Sequence, residues 1–304
     1  MQKRSPARKF ATLICAVVFC ASLVLVALKF IDYRLSEKSV QKAMELAIHT
    51  ASPQTTVLTE EVTTSLTTTE AIVQTNPVTT VQEVTTVTEI TTFETETTSV
   101  TSEEPPEMPE NEQFLFDIDV KTLQEVNPDV FGWIYIPNGY ISYPLLQTDN
   151  NSHYLNHSWE DKKSSSGSIF MECRNSKVFS DFNTLIYGHN MKNYTFFAPL
   201  QSYWELSYRD EHEYIYVVTE TEILRYLVFS AYEADISSDT YRLVFKDNSQ
   251  KLTAIEHYTK SSVWKSEVTP TENDKILTLS TCTSSGVENK RWVVQAVLDT
   301  VWQR

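Results

Sequence analysis

The chain has 304 residues, with 25 Lys and Arg against 40 Asp and Glu, a formal net charge of −15 and an isoelectric point of ≈ 4.9. No basic patch follows from that balance, so nucleic acid is not an expected partner. The acidity is uneven: residues 1–49 carry +5, residues 50–112 carry twelve Glu and no basic residue, and residues 113–304 carry −8. Only this last part has the composition to bury a core.

Lys3, Arg4, Arg8 and Lys9 precede an apolar run over residues 10–28, roughly 19 residues and long enough to span a bilayer as a helix. A cleaved signal peptide has a shorter apolar stretch that ends in small residues. Here the run reaches Leu28 and meets Lys29. Residues 1–31 are therefore expected to be a cytoplasmic basic end and an uncleaved signal anchor, with the bulk of the chain outside the cell membrane. Cys15 and Cys20 follow bulky Ile14 and Phe19, which does not resemble a lipoprotein cleavage site, and both read as filler of that helix. Residues 32–49 are polar with scattered Leu, Met and Ile, the pattern of a short amphipathic helix.

Residues 50–101 are mostly Thr, Val, Glu, Ser and Pro, with Phe93 the one aromatic. Such a composition cannot offset chain entropy, so residues 32–112 are expected to form a juxtamembrane segment and a disordered stalk, acting as a spacer. Ser52-Pro53-Gln54-Thr55-Thr56 and Asn76-Pro77-Val78-Thr79-Thr80 stand within it.

The folded domain is expected over 113–304. Asp117 or Asp119 can cap a short helix through Val120, Leu123 and Val126 that Pro128 ends. Phe131-Gly132-Trp133-Ile134-Tyr135-Ile136 and Ile141-Ser142-Tyr143-Pro144-Leu145-Leu146 flank Asn138-Gly139, a strong hairpin signal. Further strands are expected at 167–174, 184–188, 214–219, 223–232, 275–282 and 291–301, and helices at 195–206 and 249–263. About eight strands with few helices predict an all-β barrel or sandwich with helical insertions.

Chemistry concentrates at three places. Lys275-Ile276-Leu277-Thr278-Leu279-Ser280-Thr281-Cys282 delivers a cysteine to the end of an apolar strand; Arg291 opens the next strand; Leu185-Ile186-Tyr187-Gly188-His189 ends another strand on a histidine. A thiol nucleophile needs an acid/base within reach and a donor for the oxyanion, which His189 and Arg291 can supply. Each residue has a plainer reading. Cys282 can pair with Cys173 in a disulfide, the usual fate of two cysteines in an oxidising compartment. His189 can be an ordinary loop histidine, and Arg291 a solvated strand start. His153 and His157 lie in a polar loop, and His212 and His257 sit among charges that suggest solvated surface. With no CxxC pair, no HExxH and no calcium-type loop, no metal or cofactor is expected.

The motifs Thr278-Leu279-Ser280-Thr281-Cys282, Arg291-Trp292-Val293-Val294 and Tyr187-Gly188-His189-Asn190-Met191 together resemble a sortase. The resemblance is nearest to class B, which has a segment similar to Asn127-Pro128-Asp129-Val130-Phe131-Gly132-Trp133-Ile134 and a long helix before the Cys-bearing strand. It covers about residues 114–304; the Thr/Glu-rich segment departs from the family pattern. The resemblance implies an eight-stranded sortase-type barrel preceded by a helical segment, and a membrane-anchored cysteine transpeptidase. Cys282 is then the nucleophile, His189 the general acid/base and Arg291 the oxyanion donor, with Ser280 and Thr281 against the substrate. The implied partners are surface proteins with a C-terminal sorting signal, cleaved after Thr, and the amine of a cell-wall precursor or pilin. A hydrolytic thiol peptidase, or a stalked adhesin without activity and with a Cys173–Cys282 disulfide, stand as alternatives.

Overall fold

In the order β1-β2-β3-β4-β7-β8-β6-β5, eight strands close into a barrel. They run over Val130–Ile136 (β1), Ile141–Leu146 (β2), Ile169–Met171 (β3), Asn183–Tyr187 (β4), Tyr214–Val218 (β5), Glu222–Asp235 (β6), Ile276–Cys282 (β7) and Lys290–Gln303 (β8). The computed structural model describes residues 6–49, 105–282 and 288–304; for residues 6–14, 16, 49 and 282 it describes the backbone alone. The Thr/Glu-rich segment over 50–104 and the small-residue loop over 283–287 lie outside the described residues.

Period-two alternation builds the wall. Ile134 and Ile136 of β1, Leu277 and Leu279 of β7, and Val294 and Ala296 of β8 point into one buried cluster. Trp133 of β1 and Trp302 of β8 face outward into a second cluster. β2 pairs β3 and β4 pairs β7 in parallel; the other neighbours are antiparallel. Parallel neighbours need long crossovers. The crossover from β4 to β7 contains the β5–β6 hairpin and helix α4 (Asn248–Ser261), which covers β6 and β8 with Ala254 and Tyr258. Asp247 caps α4 by accepting from the Gln250 amide.

Four α-helices stand among the described residues: α1 (Pro6–His49), α2 (Val120–Val126), α3 (Leu206–Glu211) and α4. Asp119 caps α2, accepting from the Thr122 amide. The β1–β2 connection is a hairpin as expected, but its left-handed residues are Asn138 and Tyr140 rather than Gly139. The helix expected over 195–206 is instead a 3-10 helix, Ala198–Trp204, followed by α3. Pro199 near its start presets the turn, and Leu200 and Tyr203 are buried three residues apart, a spacing that suits a three-residue period.

Helix α1 runs far past the expected apolar segment and docks on the barrel. Ala43 and Ala47 are fully buried beside Met108, Leu115, Leu123 and Trp133. The Trp159 indole donates to the Ser39 carbonyl at 2.7 Å, and the Asp119 amide donates to the Ala47 carbonyl at 2.8 Å. Lys42 pairs with Glu160. The small alanines let the helix approach closely, and Val40, Met44 and Leu46 pack beside them, as the amphipathic pattern of residues 32–49 led one to expect. The described residues of 6–49 and 105–304 thus form one unit. Among the described residues no helix is long and apolar enough to cross a membrane, and the side chains at 10–14 and 16 of the expected span are not among them.

Candidate active site

Strand register assembles the site. β4 and β7 run parallel with Tyr187 beside Ser280, and the ladder continues one step as the Gly188 amide donates to the Ser280 carbonyl at 3.2 Å. His189 stands two residues past Tyr187, just beyond the end of β4, and Cys282 closes β7 two residues past Ser280. Antiparallel β8 brings Arg291 opposite Cys282 and Trp292 opposite Thr281. His189, far away in sequence, comes to the same rim of the barrel as Cys282 and Arg291 because two strands end there and a third begins.

An open cleft of ≈ 360 Å³ lies at this rim, lined among others by Leu155, Tyr187, His189, Ser280, Thr281 and Arg291. The structure therefore brings His189, Arg291, Ser280 and Thr281 to one cleft, with the backbone of Cys282 at the end of the strand that forms its floor. Ser280 is buried and its hydroxyl meets that of Tyr241 at 2.9 Å. The Thr281 hydroxyl is buried with no hydrogen-bond partner among the described residues.

His189 is held from both sides. Its Nε2 lies 2.8 Å from the Leu155 carbonyl; a carbonyl only accepts, so Nε2 carries a proton and Nδ1 is the nitrogen left for exchange with a substrate. Its own carbonyl accepts from the Phe197 amide at 3.0 Å, closing the loop that follows. That loop is pinned by the Phe196 amide donating to the Tyr143 hydroxyl and by the Tyr143 and Phe196 rings stacking at 4.9 Å. Gly167, at φ +59, makes the Leu155 contact possible. A Cβ there would come within 2.5 Å of the Tyr154 carbonyl oxygen and 3.0 Å of the His189 ring.

Arg291 donates from Nη1 to the carbonyls of Glu288 and Lys290, at 2.7 and 2.8 Å, which ties its guanidinium to its own turn. On the opposite wall the buried Glu172 accepts from Tyr187 at 3.0 Å, from Asn151 at 2.6 Å and from Arg174 at 2.7 Å. Burial alone would raise the Glu172 carboxyl, but the bonds from Arg174, Tyr187 and Asn151 and the Arg174 charge outweigh it and hold it below the usual range. Burial, then the Glu172 charge, pushes the Tyr187 phenol well above its ordinary value. This Glu172 group was not singled out from sequence; Glu172-Cys173-Arg174 gives no sign that its carboxylate turns inward.

Cys173 stands as a free thiol in this structure. Its sulfur lies 3.6 Å from Glu172, and burial together with that carboxylate pushes the thiol up, away from the reactive thiolate.

A closed eight-stranded barrel carrying a Cys-terminated strand, an Arg-bearing neighbour and a His beyond a parallel strand defines a class of thiol acyltransferase. The sortase family model, described as a sortase domain, matches residues 134–299. The chain is 34% identical over 186 residues to sortase B of Listeria monocytogenes, covering 60% of this chain and 74% of that one. To sortase B of Staphylococcus aureus it is 32% identical over 174 residues, covering 57% and 71%. A solved Staphylococcus aureus sortase B–substrate complex superposes with a TM-score of 0.56 at 32% identity, over 60% of this chain and 84% of that one. The chain belongs to the sortase family, in class B, and is a cysteine transpeptidase.

Proposed function

We propose that this transpeptidase cleaves a surface-protein sorting signal after Thr and transfers the acyl group to the amine of a cell-wall precursor or pilin. The observation that carries the reading is the register that sets Cys282 opposite Arg291 on β8 and beside the end of the parallel strand that leads to His189. The Cys282 thiol passes its proton to Nδ1 of His189 and its sulfur attacks the scissile carbonyl, forming a C–S bond while the carbonyl oxygen takes the negative charge. Arg291, permanently charged, stabilises that oxyanion. His189 gives a proton from Nδ1 to the leaving nitrogen as the C–N bond breaks, leaving a thioester. The incoming amine then attacks the thioester, His189 takes its proton and the thiolate departs. Ser280 and Thr281 contact the bound peptide. One related sortase B was solved in complex with triglycine, so a glycine-type amine is the first acceptor to try.

The reading includes the anchor. From Val17 to Leu28 the apolar side chains of α1 that are described stand exposed, Phe19 and Leu25 among them, and a helix apolar on all sides needs an apolar surrounding. Placed in a membrane with Lys3, Arg4, Arg8 and Lys9 on the cytoplasmic side, α1 leads straight into the barrel it docks on. The catalytic domain then sits outside, at the bilayer.

The test is the full chain in detergent micelles, incubated with a panel of sorting peptides and with or without glycine or lysine amines, with products read by mass. Amine-joined acyl products that replace hydrolysed ones support the reading. Products indifferent to every amine would return the chain to a hydrolytic peptidase.

A further inference from the structure

The loop between β2 and β3 brings three metal-ligating side chains together on the outer side of the cleft. His153, His157 and Asp161, four residues apart in turn, each offer a ligand atom, and these atoms lie within 4.8 Å of one another. The backbone builds this. A 3-10 turn, His153–Leu155, puts the first two histidines in a row with their rings 4.2 Å apart. A tight hairpin then folds back: the Ser158 amide donates to the Lys162 carbonyl at 2.7 Å, and His157 bridges Lys163. Asp161 sits at φ +58 within it, which returns its carboxylate to His153, 2.6 Å from Nε2.

The tautomers suit a ligand set. His157 Nδ1 lies 2.9 Å from the His153 carbonyl. A carbonyl accepts only, so Nδ1 carries the proton and the Nε2 lone pair is free. A ring N–H held by a backbone carbonyl is the usual outer support of a metal-bound histidine. The short His153–Asp161 contact is a hydrogen bond, and an ion takes the place of its proton once the two ligand atoms part and His153 turns out of its parallel stack on His157.

We propose that His153, His157 and Asp161 form a binding site for a divalent transition-metal ion of the zinc type. Two imidazoles and one carboxylate favour such an ion over calcium or magnesium, which take oxygen ligands; water completes a tetrahedral set. The position gives the site a consequence. Leu155 lies between the two histidines, and its carbonyl holds the Nε2 proton of His189. An ion there fixes the turn that orients the cleft histidine.

Cobalt(II) is the probe, titrated into the untagged full chain in detergent micelles, because its visible absorption reports both ligand number and ligand type. The expected result is a tetrahedral band at one equivalent, without thiolate charge transfer, lost in Asp161→Asn and in His157→Ala and displaced by zinc. Amide hydrogen exchange over residues 153–167 should slow with cobalt in the wild type and stay unchanged in Asp161→Asn, an exposed site whose replacement keeps the fold. A thiolate charge-transfer band would move the ion to a cysteine and overturn the site, as would a band that survives in both variants or no band at all. Binding without slowed exchange would overturn the link to His189.

Discussion

Arg291 is anchored by one nitrogen to the carbonyls of Glu288 and Lys290, and only a planar fork can hold those carbonyls while presenting further N–H groups to a substrate. Arg291→Lys keeps the charge and loses the fork. Turnover should fall about 10²–10³-fold, the usual loss of an oxyanion donor, with the unfolding midpoint unchanged; near-normal turnover in a peptide-transfer assay would reduce Arg291 to a general positive charge. Glu172 poses a different question, one of acid stability. Its carboxyl lies below the usual range in the folded protein, so the unfolded state binds its proton more readily. Its contribution is complete above the ordinary carboxylate value, about 4.3, and is lost as pH falls through the lower folded value. Denaturant midpoints between about pH 3 and 7 should therefore fall off less steeply at the acid end in Glu172→Gln. An acid limb as steep as in the wild type would assign the loss to other carboxylates.

At the scale of elements, the three strands that carry the site are tied beneath it by a buried polar network. Thr278 of β7 donates to Asn183 of β4 at 2.8 Å and accepts from Gln295 of β8 at 3.1 Å, while the Asn183 amide donates to the carbonyls of Thr240 and Arg242. Asn183, Thr278 and Gln295 have no exposed surface. Asn183→Ala strands several of these groups at once, each costing about 1–3 kcal/mol when left unsatisfied, and should lower the urea midpoint clearly; an unchanged midpoint would mean that water enters and repairs the network. Little of this was legible in the sequence, where Asn183 and Gln295 look like ordinary polar strand residues. The strands themselves were legible. Ile134, Ile136, Leu277, Leu279, Val294 and Ala296 alternate with the period that a half-buried wall imposes. Thr195-Phe196-Phe197-Ala198 was misleading because an apolar run before a proline does not separate an α-helix from a 3-10 turn. The His153, His157 and Asp161 spacing was present too, but it matches no familiar metal motif and becomes a cluster only when the Ser158–Lys162 hairpin folds back.

For the whole molecule the informative feature is α1. Its docked part was legible as an amphipathic helix, and the burial of Ala43 and Ala47 beside Leu115, Leu123 and Trp133 shows which face meets the barrel. Replacing residues 53–104 with a short Gly/Ser linker should leave the thermal midpoint within about 2–4 °C of wild type, the shift of a 1 kcal/mol change. Deleting residues 1–104 should lower it well beyond that, since the Trp159 indole loses Ser39 and an apolar face opens to water. Equal midpoints for the two truncated proteins would mean that α1 contributes nothing to the fold.

The central claim is that Cys282 carries the acyl group. Mixing the full chain with a reactive sorting peptide in the absence of amine, quenching in acid and mapping the adduct by mass measures this directly. The account predicts a single thioester on the peptide that contains Cys282, present in Cys173→Ala, absent in Cys282→Ala and discharged by added glycine amine. An adduct on Cys173, or transfer that persists in Cys282→Ala, would contradict it.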